Sequence, residues 1–240
     1  MNSSEYIYDF NITSFDVGYK GMLRYSSILK YQQDAGEHHM HHYGYDMMTL
    51  MDRGYAFVIS CTAVVINRLP CINEKIRMVT WNRGQKGIRF FRSYNWYDES
   101  GDLIIEGCSS VALVDFKNHG LADTTVLGDP MPSDFERTNS AGTPKRARIT
   151  VGNNITSYEI VKPSRIDNNG HLNNTYYADI VFDNLPESCY LSLAKGFTID
   201  FVTEAKLGDR IDIKSKAMDN SVHLCGMVGE DVCFKAIYEI

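Results

Sequence analysis

The chain has 240 residues, with 24 Lys and Arg against 30 Asp and Glu, a formal net charge of -6 and 44% hydrophobic residues. This composition is typical of a folded globular protein and excludes an intrinsically disordered chain. The acidic balance argues against a general nucleic-acid-binding protein, which would need a basic surface. A local basic patch could still receive an acidic partner.

No stretch of the sequence is apolar for long enough to span a bilayer, so we expect no membrane insertion. The first residues lack the basic and then apolar pattern of a secretory signal. Glu5 and Asp9 precede the first arginine, Arg24, which is unlike an organellar transit peptide. We therefore expect a cytoplasmic protein whose six scattered cysteines are reduced.

The first half is predicted to contain one helix followed by an antiparallel meander. Residues 22–42 place Ile28, Leu29 and Gln32 on one helix face at spacings of three and four. Strand-like segments follow at 55–69, 74–82, 88–97 and 103–116, separated by turn sequences at 68–70, 84–87 and 98–102. These connections are too short for helical crossovers, which favours antiparallel pairing.

The strand at 88–97 alternates two sets of side chains. Phe90, Arg92, Tyr94 and Trp96 fall on one face, and the residues between them fall on the other.

The second half repeats this plan after a linker. Three of the six prolines lie between residues 117 and 150, and we assign the linker to residues 119–152. A short strand at 155–161 then leads to a helix at about 171–184, and four strands follow at 196–203, 209–218, 222–228 and 232–240.

Both halves therefore contain a leading strand, one helix and about four antiparallel strands. A sheet of this kind can curl around its helix, and two such units can merge into one sheet that hides an edge strand from each. We expect an α+β protein with two long helices, each wrapped by an antiparallel sheet. The two units are assigned to residues 1–118 and 153–240.

Polar residues concentrate between Arg165 and Tyr176, at the predicted start of the second helix. Asp167, Asn169 and His171 alternate there with small or polar residues. The free N–H groups of a helix start favour a developing oxyanion, although helix capping alone would also explain an Asp or Asn there. Glu204 ends the apolar strand at 197–203, where a solvated strand end is the alternative interpretation.

The segment Asp167-Asn168-Asn169-Gly170-His171-Leu172-Asn173-Asn174, followed by two tyrosines, resembles the Asp-x-Asn-x-His-x-Asn-Asn active-site motif of acyl-acyl-carrier-protein (acyl-ACP) thioesterases. The segment 200–205 is similar to the family strand that ends in a catalytic Glu. Segments of the first half match family landmarks in the same order: Gln32-x-Asp34-Ala35, Thr80-Trp81, 84–89 and 109–111.

The resemblance implies a tandem double hotdog fold and the hydrolysis of acyl-ACP to free fatty acid and holo-ACP, which ends chain elongation. It implies that Asp167, Asn169, His171 and Glu204 are catalytic, with no cofactor and no metal. Glu204 and His171 would activate a water, Asn169 would position water or substrate, and helix-start N–H groups near His171 would hold the oxyanion. Asp167 would orient this network or attack the carbonyl itself.

The sequence departs from the family pattern around Glu204. Val202 and Thr203 replace two arginines, and Ala205 replaces a cysteine that many members carry after the glutamate. A scheme with that cysteine as nucleophile therefore cannot operate. Because plant members carry a transit peptide that is not seen here, we expect a bacterial member.

The partner implied by the resemblance is acyl carrier protein with its phosphopantetheine-linked acyl chain. Since this partner is acidic, we expect it to dock on a local basic patch. One candidate patch is the hairpin with Arg83, Lys86, Arg89 and Arg92, and the other is the linker with Lys145, Arg146 and Arg148. The first half, which lacks Asn-x-His before its helix, is expected to hold the acyl tail, and its candidate lining is Met47, Met48, Leu50, Met51 and Val64.

Several alternatives stay open at this point. The chain could be an acyl-coenzyme A thioesterase, a hotdog dehydratase or a non-catalytic acyl-binding lipid sensor. His38 and His42 lie four residues apart and could bind zinc, but a polar face at a helix end explains them better. The protein could be a monomer, since a tandem fold makes its own pairing, or a homodimer through its remaining sheet edges.

Overall fold

The computed structural model describes residues 4–118, 120–128, 131–190 and 194–240. Within these residues there are three α-helices, α1 (Tyr25–His41), α2 (Met47–Asp52) and α3 (Tyr176–Asp183). The strands of the first half are β1 (Glu5–Asn11), β2 (Tyr55–Ile66), β3 (Lys75–Lys86), β4 (Arg89–Tyr97), β5 (Leu103–Asp115) and β6 (Gly120–Leu121). Those of the second half are β7 (Ser157–Ile160), β8 (Gly196–Phe201), β9 (Arg210–Ala217), β10 (Ser221–Val228) and β11 (Asp231–Glu239).

The strands form one continuous sheet in the order β1-β3-β4-β5-β2-β8-β11-β10-β9-β7, with the short β6 paired to the end of β5. All of its pairings are antiparallel. The order reads the same from both ends when each strand of the first half is matched to its counterpart in the second. The structure therefore has an internal pseudo-twofold axis between β2 and β8, and the tandem α+β architecture is confirmed.

The two halves are joined by a backbone ladder between β2 and β8. This ladder pairs Cys61 with Asp200 at one end and Val65 with Gly196 at the other. A Cβ atom on Gly196 would lie 2.2 Å from the carbonyl oxygen of Val64, so the strands approach closely only because residue 196 is glycine.

Helix α1 lies on the concave face of the sheet and contacts both halves. Its buried residues include Ile28, Leu29 and Ala35, which follow the three and four spacing of the sequence pattern. At its start, the Tyr25 ring packs against Phe182 and Phe197, and its hydroxyl lies 3.1 Å from that of Tyr238. A single core cluster consequently extends through both units.

The connection between the halves runs over the outer face of the sheet. The described residues of 128–156 contain no helix or strand, but their backbone satisfies polar side chains of the strands. Trp81 Nε1 donates to Arg137 O (3.1 Å), Arg83 Nη1 donates to Gly142 O (2.8 Å), and Glu106 Oε1 accepts from Ser140 N–H (3.0 Å). The linker thus covers buried polar groups that would otherwise lack partners.

Two sequence-based boundaries are wrong. The turn predicted at residues 84–87 lies later, at Gly87 and Ile88, because Gly84 adopts φ +88° next to a bulge in β3 and the ladder to β4 continues to Lys86. The second helix begins at Tyr176 rather than 171, because residues 171 and 172 form bridges to Lys206 and Ile166. Helix α3 therefore has 8 residues against 17 in α1.

We predict that Gly196→Ala destabilises the whole protein through the ladder between β2 and β8. The added methyl group would overlap the backbone of Val64, which cannot move without breaking strand pairing. We expect a loss of at least about 2 kcal/mol in the free energy of unfolding, measured by urea denaturation.

The matched control for this substitution is Gly152→Ala, since an added Cβ meets nothing within 4 Å at that position. It should change the free energy of unfolding by no more than about 0.5 kcal/mol. Equal stability of the two variants would show that close approach at Gly196 does not limit the pairing of the halves.

Candidate active site

The polar segment predicted from the sequence forms a tight loop before α3. Asp167 N–H donates to His171 O (2.9 Å), and one oxygen of the Asp167 carboxylate, Oδ1, accepts from the N–H groups of Asn169 (2.9 Å) and His171 (3.2 Å). Gly170 closes the turn with φ +82°. Asp167 therefore sets the shape of the loop through its own side chain, as Asp does in Asx turns.

The loop is attached to the segment that follows β8. The N–H of the buried Leu172 donates to Ala205 O (2.8 Å), and His171 forms a bridge with Lys206. These contacts bring the His171 imidazole to Glu204, with 3.0 Å between Nε2 and Oε2. The His171 side chain is 25% exposed and that of Glu204 is 57% exposed, so the pair is open to solvent.

Of the four predicted site residues, the structure brings these two into direct side-chain contact. The Asp167 carboxylate bonds to backbone rather than to the imidazole. Among the described residues, its second oxygen, Oδ2, and the side-chain amide of Asn169 have no hydrogen-bond partner. Both groups are therefore available to a substrate.

The predicted oxyanion site at a helix start near His171 is not present. Helix α3 begins five residues later, and the His171 N–H already donates to Asp167. The first polar contacts of the helix are instead made by Asn173, whose Oδ1 accepts from the Thr175 N–H (3.0 Å) and hydroxyl (2.8 Å). A side-chain donor such as the Asn169 amide is a better candidate for contacting the carbonyl oxygen.

Tyr177, in the first turn of α3, packs next to the motif loop. The sequence pattern did not indicate it as a functional residue. Its ring packs edge-on against Phe201 and Phe234, with centroids 5.4 and 5.3 Å away. Burial is the main cause that raises the pKa of its hydroxyl, so Tyr177 is neutral at physiological pH. Its place directly after the motif, on the apolar face of α3, was the available signal.

A cavity of about 840 Å³ extends from the motif loop along α1 into the first half. The loop contributes Asp167 and Asn169 to the lining, whereas His171 and Glu204 stay outside it. The apolar part of the lining comes from α1, α2 and the first sheet: Met40, Tyr45, Met47, Leu50, Ala56, Phe57, Ile59, Phe90, Phe91 and Val111. Such a space suits an elongated, mostly apolar ligand.

Two of the five residues expected to hold the acyl tail line this cavity. Met47 and Leu50 line the cavity. Met48 has 61% of its surface exposed, Val64 is buried in the main core, and Met51 is not part of the lining in the described part of the chain.

The hairpin patch proposed for carrier-protein docking is wrong for two of its four cations. Arg83 is 2% exposed and bonds to the linker. Arg92 points inward and donates to His39 Nδ1 (2.8 Å) beneath α1. Both side chains lie on parts of the strands that other segments cover. The other two cations, Lys86 and Arg89, lie toward solvent. In the linker, Lys145, Arg146 and Arg148 are all exposed.

Three histidines near the end of α1 lie around the Tyr6 ring, and they differ in burial and in their polar partners. The His39 side chain is buried against Arg92. His38 and His42 lie next to the Tyr6 ring, at centroid distances of 6.4 and 5.5 Å, and His38 is 3.8 Å from Asp34.

A tandem of two helices, each packed against its half of one continuous antiparallel sheet, defines a double hotdog fold. Two family models match the chain. The acyl-ACP thioesterase N-terminal domain covers residues 3–125, more than half of the chain, and the acyl-ACP thioesterase C-terminal domain covers residues 151–233.

The chain belongs to the acyl-ACP thioesterase family. It is a thioester hydrolase of fatty acid biosynthesis that cleaves acyl-ACP to free fatty acid and holo-ACP. This family membership favours hydrolysis of carrier-bound chains over the coenzyme A, dehydratase and lipid-sensor alternatives.

Solved structures with the same fold cover nearly the whole chain. An acyl-ACP thioesterase from Bacteroides thetaiotaomicron has a TM-score of 0.90 at 22% identity, covering 98% of this chain and 97% of its own. A 12:0-ACP thioesterase from Umbellularia californica has a TM-score of 0.81 at 18% identity, covering 100% and 98%. A putative oleoyl thioesterase from Lactobacillus plantarum has a TM-score of 0.82 at 18% identity, covering 99% and 96%.

A search of curated proteins found no match. Among the described residues, no helix is both long enough and apolar enough to cross a membrane.

We predict that Gly170→Ala lowers activity out of proportion to its effect on stability. Alanine at φ +82° costs about 1–2 kcal/mol, which favours loop conformations that move Asn169 and His171. The matched control is Gly101→Ala, with φ +85° and the same open surroundings in the turn between β4 and β5.

Both glycine variants should lose similar thermal stability, and only Gly170→Ala should lose tenfold or more in kcat for acyl-ACP hydrolysis. Equal kcat values in the two variants would contradict a role for the loop shape in catalysis.

Proposed function

We propose that His171 and Glu204 form the general base of the hydrolysis. His171 Nε2 lies 3.0 Å from Glu204 Oε2, so the carboxylate would favour a proton on this nitrogen and leave Nδ1 to take a proton from water. The contact between these two side chains is the single observation on which the proposal depends.

The proposed reaction proceeds through a tetrahedral intermediate. The activated water oxygen bonds to the thioester carbonyl carbon, and the carbonyl oxygen becomes an oxyanion that accepts from the Asn169 amide. The carbon–sulfur bond then breaks, and the thiolate of the phosphopantetheine receives the proton held by His171. The products are a free fatty acid and holo-ACP.

Asp167 has two possible roles in this scheme. Its Oδ1 holds the N–H groups of Asn169 and His171, which supports a positioning role. Its second oxygen lacks a partner in the described residues and lies at the cavity, which would also allow attack on the carbonyl to form a mixed anhydride. We favour positioning, because Asp167 makes no contact with the imidazole that would activate it.

We further propose that the first unit, residues 1–118, holds the acyl chain and that the second, residues 153–240, supplies the catalytic residues, with 119–152 as the linker. This division is supported by the cavity, whose apolar lining comes mostly from the first half and which reaches the motif loop of the second. The reaction would take place in the cytoplasm, where the six free cysteines remain reduced.

For the carrier protein we propose a docking surface formed by Arg146 and Arg148 with Lys214 and Lys235. The two arginines flank Ala147, whose N–H donates to Asp200. Strand register aligns Asp200 with Lys235 and then, through Cys225, with Lys214, so these residues share the outer face. Glu204 is four residues beyond Asp200, at most about 14 Å away along the chain.

The first prediction from this mechanism concerns the base pair. His171→Ala should lower kcat/KM for acyl-ACP by 10²-fold or more, within the usual range for a general base. Glu204→Gln should lower it by about tenfold or more, because the amide cannot stabilise an imidazolium. Since the two act as a unit, the double variant should be little worse than His171→Ala alone.

Glu230→Gln, in the exposed turn between β10 and β11, is the matched control and should retain wild-type activity. Near-normal hydrolysis by a folded His171→Ala protein would refute the proposed base. Trapping an acyl group on Asp167 with hydroxylamine would replace the water mechanism by the mixed anhydride.

The second prediction concerns docking. Arg146→Glu with Arg148→Glu should raise KM for acyl-ACP about tenfold or more and leave kcat/KM for the matching acyl-coenzyme A unchanged, because the charge pairing exists only with the acidic carrier. The effect should shrink as salt is added.

Lys75→Glu with Arg77→Glu, on a strand near the far edge of the first half, is the control of equal charge change. An equal rise in KM in both double variants would point to net charge rather than to a docking surface.

A further inference from the structure

The cavity contains a cation that the hydrolysis does not use. Arg92 lines it from the middle of β4, with its side chain beneath α1. A Cβ on Gly36 would lie 3.3 Å from Arg92 Cδ, so a glycine in the helix makes room for the arginine. The guanidinium donates from Nη1 to His39 Nδ1 (2.8 Å) and Thr80 Oγ1 (3.4 Å).

Neither of these two partners carries a negative charge. No carboxylate of the described residues lies within 4.0 Å of the Arg92 guanidinium. Glu37 is close enough to act electrostatically, but it is exposed, and its carboxylate accepts from the Met47 N–H. Burial lowers the pKa of the Arg92 guanidinium, as expected for a charge removed from water.

Part of the guanidinium faces open space. Nε and Nη2 make no hydrogen bond with the described residues, yet neither is among the polar atoms that are sealed from solvent and lack a partner. Since Arg92 lines the cavity and its Nη1 is already bonded to His39 and Thr80, Nε and Nη2 are the donors of this side chain that remain for a ligand there. These two hydrogen-bond donors therefore lack an acceptor among the described residues.

The point at which Arg92 contacts α1 indicates which part of a bound acyl chain would reach it. The start of α3, which directly follows the motif loop, meets α1 where Lys30 Nζ lies 5.1 Å from the Tyr176 ring centroid. Arg92 contacts the helix at Gly36 and His39, six to nine residues further on. At 1.5 Å per residue this is about 9–13 Å along the helix axis. An acyl chain with its thioester at the loop would therefore present its distal carbons to Arg92.

A plain alkyl chain fits this environment poorly. Methylene groups packed against Arg92 would remove water from its free N–H groups without replacing the lost hydrogen bonds. An oxygen on the chain would accept from those groups and avoid that cost. Hydrogen bonds to charged groups are among the stronger ones in proteins, so selectivity should be large.

The charges around the cavity favour a neutral oxygen over an anionic one. The carboxylates in the lining outnumber the cations, with Asp16, Asp34, Glu37 and Asp167 against Lys30 and Arg92. An anionic substituent would pass the acidic side chains of α1 before it reached Arg92. A hydroxyl group meets no such repulsion.

We propose that this thioesterase is selective for acyl chains that carry a hydroxyl group on their distal part, and that Arg92 is the residue that recognises it. The proposal rests on the proposed function of the cavity as the acyl site. It makes Arg92 a specificity-determining residue and the chain a hydrolase of hydroxylated acyl-ACP.

The test compares matched acyl-ACP pairs from C6 to C14 that end in a methyl or an ω-hydroxyl group, with wild-type protein, Arg92→Met and Arg92→Gln. Every kcat/KM is divided by that of the same protein for butyryl-ACP, whose chain is too short to reach Arg92. This normalisation separates selectivity from any loss of folded enzyme.

At the length that reaches Arg92, wild-type protein should prefer the ω-hydroxyl substrate by tenfold or more. Arg92→Met should prefer the methyl-ended chain, and Arg92→Gln, which keeps an amide donor, should retain part of the hydroxyl preference. Wild-type preference for methyl-ended chains at every length, or an unchanged hydroxyl preference in Arg92→Met, would overturn the proposal.

Two further results are informative. An ω-carboxyl chain as the best substrate would refute the assignment of a neutral hydroxyl. Failure of wild-type protein to hydrolyse any acyl-ACP, butyryl-ACP included, would overturn the acyl-site function itself, whereas ready hydrolysis without hydroxyl preference would refute only the role of Arg92.

Discussion

The backbone ladder between β2 and β8 is the interaction on which both the fold and the site depend. It removes one edge strand from each half, and it sets the register that places Asp200 opposite Cys61. Because β8 leads directly to Glu204, this register also fixes where the carboxylate lies relative to the loop before α3. Core packing around Tyr25 follows from the same junction, since α1 can contact the second half only when the sheets are continuous.

The pseudo-twofold symmetry of the sheet does not extend to the segments around its helices. In the second half, a loop shaped by Asp167 and attached to Ala205 precedes the short helix α3. The first half instead has the longer helix α1 and the added helix α2, and the space beside them is the cavity. The two halves therefore share their strand pairing and differ in the segments near each helix, which is the basis of the two roles proposed for them.

The element order and the contact between His171 and Glu204 were predicted for different reasons. Apolar spacing in α1 and alternation in the strands are local patterns, so the helix and most strands could be found. The contact between His171 and Glu204 joins residues 33 positions apart and was inferred from resemblance rather than spacing. The predictions failed where a local pattern is compatible with two structures. Gly84 is typical of a turn but lies next to a bulge. Arg92 is typical of an exposed charge, although it shares a strand face with Phe90, Tyr94 and Trp96. The start of α3 was missed because bridges to distant segments hold residues 171 and 172 extended.

The ladder between β2 and β8 also has a consequence for the synthesis of the chain on the ribosome. The partners Cys61 and Asp200 are separated by more than half of the chain, so β2 is made long before β8 exists. Until then, the first unit exposes an unpaired and largely apolar strand edge, the kind of surface that pairs with other chains. Antiparallel sheets with such distant contacts also form slowly. The nascent first half therefore depends on rapid completion of its partner or on chaperone protection, and its yield on expression alone would be limited by aggregation rather than by its own core.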